Sequence, residues 1–288
     1  MLTHIARCAI HLAGSISLLT TAGSLAAQQD SPPAYLRIAR EEVKPGRAGP
    51  HVALESAWAH AWEKAKIPGY NMALTTMYGP SEAWWVEGHS SVAEIEEADK
   101  AVQAAPGLND EIDRFAQADA ANISRATFLL ARYVPDLSNG PDIDVSQMRV
   151  WEVLVFQVRP GHEDNFSEAA KLYKTTLGQA KIQAPWATYG VMAGMPGPTY
   201  LVFIPHRTLA EIDPATGTGA AIEKAFNEEA GKKLSSLAEG YSSVEDLIFS
   251  VNPQMSYLSA EFVARDPKFW ARKPAAPRAR SQASKPAQ

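Results

Sequence analysis

Hydrophobic and polar positions along this chain follow the same order of periods twice. Residues 35–43, YLRIAREEV, alternate as a strand does, and residues 150–158, VWEVLVFQV, form a second β-rich run. A Pro-Gly pair closes each, at Pro45-Gly46 and at Pro160-Gly161. A helical stripe comes next: Leu54, Trp58, Trp62 and Ala65 share one face, as do Phe166, Ala170, Tyr173, Leu177 and Ala180. Two further runs read as hairpins around Gly-Pro turns, residues 70–78 with 83–87, and 186–193 with 199–204. Helical regions over 91–122 and 207–240 precede last strands at 125–134 and 244–251. The pattern predicts β-α-β-β-α-β written twice, an α+β fold of two tandem ferredoxin-like units.

Local matches support a duplication. Val43-Lys44-Pro45-Gly46 returns as Val158-Arg159-Pro160-Gly161, and Ala93-Glu94-Ile95 returns as Ala210-Glu211-Ile212. Tyr133 to Ser138 faces Val251 to Ser256. The offsets are 115, 117 and 118 residues, a drift that small loop insertions produce. The expected layout is a first repeat over 34–145, a second over 148–264 and a tail over 265–288. Ser91 with Glu94, and Thr208 with Glu211, read as capping boxes at the start of each second helical region.

Composition adds a compartment. Residues 1–27 hold one early cation, Arg7, a short interrupted apolar stretch and small residues before the predicted cleavage near Ala26 to Gln28. This layout predicts a secretory signal peptide and a secreted or periplasmic protein. A retained anchor needs about 20 apolar residues, and His11, Ser15 and Ser17 interrupt this stretch. Cys8 is the sole cysteine and would leave with the signal, so the mature chain is expected to lack disulfides and thiol ligands. Arg7 and residues 265–288 hold eight of the 27 basic residues and one of the 32 acidic ones, which leaves the body at −12. An acidic body argues against nucleic acid as a partner. The basic, Pro- and Ala-rich tail is expected to be disordered, as a solvated terminus or a weak tether to an anionic surface.

The candidate chemistry starts from two histidines at matched junctions, His89 and His206. By alternation, Trp85, Glu87 and His89 lie on one face of their strand and Trp84 and Val86 on the other. The wholly apolar set is expected beneath the helices, which would turn the histidine set inward. In the last strands Arg132 and Asp246 would join it. The expected site is therefore a cavity with His89 and Glu87 as the acid–base pair, and Trp85, Arg132, His206 and Asp246 as ligand contacts. Solvated or ion-paired strand ends, or inheritance of a strand-to-helix junction, account for the same residues without chemistry. His51 and His60, nine residues apart, are not on one helical face and read as surface positions. No metal set, nucleotide cradle or nucleophile elbow is evident, and no cofactor is indicated beyond one histidine that could serve haem.

The doubled order, the V-[KR]-P-G end of each first strand and the proline-containing breaks after each last strand resemble the dimeric α+β barrel superfamily. That group includes antibiotic-biosynthesis-monooxygenase-like and NIPSNAP-like proteins, and the likeness spans roughly residues 34–260. It implies two units packed sheet to sheet, here fused as an intrachain pseudo-dimeric barrel, as a monomer or a homo-oligomer. Its members include cofactor-free oxygenases, haem-degrading proteins and isomerases, so it implies no single reaction. Three readings stand: a barrel that binds a small organic molecule, an oxygenase- or isomerase-like enzyme, and an envelope protein with a filled barrel.

Overall fold

The computed structural model describes residues 31–140, 142–213 and 217–272. Residues 1–30, which include the expected signal segment, and residues 273–288 of the tail lie outside the described residues. The first copy runs β1 (Tyr35–Val43), α1 (Ala48–Ala65), β2 (Asn71–Tyr78), β3 (Glu82–His89), α2 (Val92–Ala104), α3 (Leu108–Asp119) and β4 (Ile123–Tyr133). The second runs β5 (Val150–Val158), α4 (Glu163–Ala180), β6 (Ala187–Ala193), β7 (Thr199–His206), α5 (Gly217–Ala225), α6 (Glu228–Ala238) and β8 (Tyr241–Val251). Two short helices follow, α7 (Ala260–Arg265) and α8 (Pro267–Trp270).

The eight strands close into one barrel in the order β1-β3-β2-β8-β5-β7-β6-β4. Every pairing is antiparallel, and the copies join at two equivalent seams, β2 with β8 and β4 with β6. Closure removes the exposed sheet edges that each half alone would present. At the β4–β6 seam the backbones pass so closely that a Cβ on Gly194, where φ is +97°, would sit 2.0 Å from the Phe128 carbonyl oxygen. Only glycine fits there.

Matched turns show the same local solution in both copies. Lys44 N–H donates to Asn122 O and Arg159 N–H to Gly240 O, each over 2.8 Å. Both α1 and α4 end at a left-handed lysine, Lys66 at φ 53° and Lys181 at φ 55°. The first strands, β1 and β5, have the bounds the alternation predicts.

Three expectations need correction. The region 91–122 is two helices, not one, because Pro106-Gly107 breaks it and Gly107 is left-handed at φ 73°. The capping box forms at Ser91, whose Oγ accepts from Glu94 N–H at 3.1 Å. Thr208 makes no side-chain cap and introduces only a 3-10 turn, Leu209–Ile212. Residues 265–272 are not a disordered tail: α8 is ordered, and Trp270 is 2% exposed within the core cluster. The composition of that segment hid two aromatic anchors, Phe269 and Trp270, at its start.

Candidate functional site

The face assignment along the strands is the reverse of the expected one. Trp84 belongs to the barrel's inner cluster with Leu36, Ile38, Leu129, Leu201 and Phe249. Trp85 packs outside the barrel with Val52 of α1, Met255, Ala73 and Ala83. In the second copy Leu201 and Phe203 face inward, whereas Val202 and Ile204 pack around Phe166 of α4. Alternation separates two sets but does not say which is inside, and in a closed barrel both faces are covered. The larger apolar set took the interior.

One end of the interior is plugged. Arg40 forks onto Glu82 through Nε and Nη2, at 2.8 and 2.9 Å, and reaches Glu245 at 3.0 Å. Trp84 Nε1 donates to the same Glu82 carboxylate at 2.7 Å, and the Arg40 guanidinium lies 5.1 Å over the Trp84 ring. These bonds satisfy Glu82, which is 5% exposed.

The other end is open. A cavity of about 270 Å³ is walled by Leu36, Met72, Tyr133, Trp151, Tyr189 and Phe203, with Phe262 of α7 and the linker residue Val145 across its mouth. The Tyr189 hydroxyl donates to Pro33 O at 3.2 Å, and burial raises its pKa further above the usual phenol range. Trp151 differs from the other walls: its indole N–H is buried and has no acceptor. A buried donor left unmade costs roughly 1–3 kcal/mol, and Trp151 is among the residues that line this cavity. Among the described residues no histidine lines this cavity.

The expected site residues are scattered over the outer surface of the barrel and do not converge. His89 is 1% exposed, and its Nε2 lies 3.1 Å from Glu87 Oε1 without hydrogen-bond alignment. Glu87 is bound instead by Arg37, at 2.8 Å, which also pairs with Asp99 of α2. Glu87 and His89 thus belong to a buried ion-pair chain on the helix side of β3. Arg132 is exposed. His206 pairs with Glu152 on the far copy, 3.3 Å apart, and Asp246 is exposed on the same outer face. Partial burial and the Glu152 charge raise the Asp246 pKa. His206 and Glu152 border a larger cleft of about 590 Å³ between the sheet and α4, α5 and α6, which also holds Glu211 with Phe166 and Tyr241.

Sequence reasoning also missed a buried polar cluster under α1. His51 is 1% exposed, not on the surface, and its Nδ1 lies 2.8 Å from Asp119 Oδ2. Glu55, one helical turn on, is 7% exposed, and Glu41 of β1 completes the group. Burial, then the charges of Glu41 and Asp119, push Glu55 up to about 9. The signal was present as His51 and Glu55 at i and i+4, one face of α1. The apolar stripe of Leu54, Trp58, Trp62 and Ala65 meets α3, with Trp58 and Trp62 beside Phe115.

No family model matches the sequence, and no curated protein does. Among solved structures, an anthrone oxidase-like protein aligns at a TM-score of 0.49 and 10% identity, over 76% of this chain and 92% of that one. Chlorite dismutase from Candidatus Nitrospira defluvii, solved with imidazole, aligns at 0.48 and 7% identity, over 83% and 98%. The barrel is defined here by its own strand order and register. It is the fused, pseudo-dimeric α+β barrel that the sequence resemblance implies.

Proposed function

We propose that the protein binds a small, largely apolar organic molecule in the open end of the barrel. The observation that carries this reading is the open, largely apolar cavity itself, among whose lining residues Trp151 keeps a buried, unpartnered N–H. An apolar cavity of about 150 Å³ holds a single benzene ring, so the 270 Å³ here suits a compact bicyclic compound with one acceptor atom. Seven of the eight strands contribute residues to the wall, a frame that keeps it preformed. The filled-barrel reading is set aside because only the Arg40 end is packed. The setting we favour is outside the cytoplasm, as the first 27 residues predict. N-terminal sequencing of secreted or periplasmic protein tests that point.

The test is a thermal-shift and tryptophan-quenching titration with a bicyclic aromatic ketone and with the parent hydrocarbon. The ketone should bind more tightly. Trp151→Phe should weaken the ketone by roughly 2- to 10-fold, the range of one net hydrogen bond, and leave the hydrocarbon unchanged. Failure of both compounds to shift the melting temperature, or equal binding by an Ala187→Phe variant that fills the cavity, would overturn the proposal.

A second reading keeps the enzyme alternative and rests on the larger cleft, where His206 and Glu152 sit 3.3 Å apart. A histidine beside a carboxylate is suited to moving a proton between two atoms of a bound substrate, as an isomerase requires. Turnover abolished by His206→Ala and untouched by Trp151→Phe would favour it over the barrel cavity.

A further inference from the structure

The cluster under α1 is explained neither by the barrel cavity nor by the needs of the fold. Its counterparts in the second copy show what the fold requires at those positions. β1 and α1 map onto β5 and α4 at one offset, and α3 maps onto α6 through the shared closing turn: Asn122 N–H donates to Asp119 O, and Gly240 N–H to Leu237 O. Glu41, His51, Glu55 and Asp119 therefore correspond to Phe156, Phe166, Ala170 and Leu237. In the second copy Phe156 and Phe166 pack ring on ring at 5.1 Å, so apolar side chains suffice between helix and sheet. In the first copy the same space holds one imidazole and three carboxyl groups, whose donor atoms all lie within 4.8 Å of one another.

Such a set is costly without a counter-charge, since carboxylates gathered in a low-dielectric site repel one another. Two atoms point to what is meant to lie between them. His51 Nε2, on a side chain 1% exposed, has no hydrogen-bond partner. It lies 4.0 Å from Glu41 Oε2, which is also buried and unpartnered. Donors bound at about 2.1 Å around a tetrahedral ion sit roughly 3.4 Å apart, so a small contraction would bring both onto one centre. The other imidazole nitrogen faces Asp119, whose second oxygen accepts from Asn122 Nδ2 at 2.8 Å. That carboxylate–histidine arrangement fixes the tautomer which leaves Nε2 free to donate its lone pair.

We propose that Glu41, His51 and Glu55 bind one divalent transition-metal ion, with Asp119 orienting the imidazole. An imidazole with carboxylates suits Mn(II), Fe(II) or Zn(II), whereas Ca(II) requires six to eight oxygen donors, more than the cluster offers. The proposal is independent of the barrel cavity, and its test reads binding alone.

Untagged full chain, stripped with EDTA, is titrated with Zn(II), Mn(II) and Co(II) by calorimetry and by thermal denaturation. One ion should bind per chain, the melting temperature should rise, and Co(II) should give visible absorption bands. Asp119→Asn should weaken binding by roughly 10- to 100-fold, the usual effect of losing an orienting partner. The double variant His51→Phe with Glu55→Ala, which copies the second half, should stay folded and lose the ion. Failure of the wild-type chain to bind any of the three, or binding of Ca(II) or Mg(II) only, overturns the proposal. Undiminished binding by a folded double variant overturns it as well. Should that variant not fold, an Asp119→Asn chain that binds as tightly as wild type is the overturning result.

Discussion

Trp270 donates its indole N–H to the Ser146 carbonyl oxygen across 2.8 Å, joining the last described helix to the linker between the two copies. The Arg149 guanidinium stacks 3.8 Å over the neighbouring Phe269 ring and pairs with Asp266. The C-terminal segment is thereby held across the mouth of the barrel, where Phe262 and Val145 close the cavity wall. Trp270→Ala should lower the free energy of unfolding by about 3–5 kcal/mol, as expected for removing a fully buried indole. Urea denaturation measures this. The same variant should bind an environment-sensitive apolar dye more strongly than the wild type does, because the cavity mouth loses part of its wall.

The same cover should respond to acid through Asp144. Partial burial would raise the Asp144 pKa, but the hydroxyl and backbone N–H of Ser146 and the Arg265 guanidinium outweigh it and hold it below the usual range. A carboxyl group depressed in the folded state contributes stability that is complete above its unfolded pKa, about 3.9, and is lost as pH falls through the lower folded value. Melting temperatures measured between pH 5 and pH 2 should therefore drop for the wild type. For Asp144→Asn, which keeps a capping side chain without the charge, the drop should be shallower.

At the opposite end Arg40 is the sole cation that the structure pairs with Glu82 among the described residues. Removing it leaves Glu82, which is 5% exposed, with Trp84 Nε1 as the remaining donor to its carboxylate among the described residues. Stranding a buried charge costs more than the pair contributes, so Arg40→Ala should destabilise by about 3–5 kcal/mol. Arg40→Ala with Glu82→Leu should recover most of the loss. A double-mutant cycle from chemical denaturation decides the point.

The sequence made the repeat, the strand bounds of β1 and β5 and the Ser91 cap legible, because each rests on a local period or a local hydrogen bond. The site was not legible, because it depends on which strand face turns inward. Trp84 and Trp85 are adjacent, both bulky and both apolar, and nothing local distinguishes the one inside the barrel from the one beneath α1. Once Trp84 is placed inside, Glu87 and His89 must lie outside with Trp85, and the expected cavity residues scatter. The buried His51 was hidden for a related reason: α1 packs one face on α3 and another on the sheet, and its tryptophans mark the helix–helix contact. Trp151 could not be singled out from the pattern, since its significance is an acceptor that is missing in three dimensions.

His89 and His206 hold matched sequence positions, yet their surroundings differ enough to separate them experimentally. His89 is 1% exposed and is flanked by Glu87, whose other oxygen is tied to Arg37. His206 is partly exposed, and its one partner, Glu152, also reaches the edge of an open cleft. Truncating a fully buried side chain costs both packing and the polar balance around it, whereas water from the open cleft can replace a pair at its edge. His89→Ala should therefore lose roughly 1–3 kcal/mol in denaturant unfolding and His206→Ala less than about 1 kcal/mol. Neither should alter ketone binding in the barrel cavity, which neither histidine lines. Loss of that binding in His89→Ala, with stability retained, would mean that β3 presents its outer face to the ligand, and the inside-out assignment of the strand would have to be abandoned.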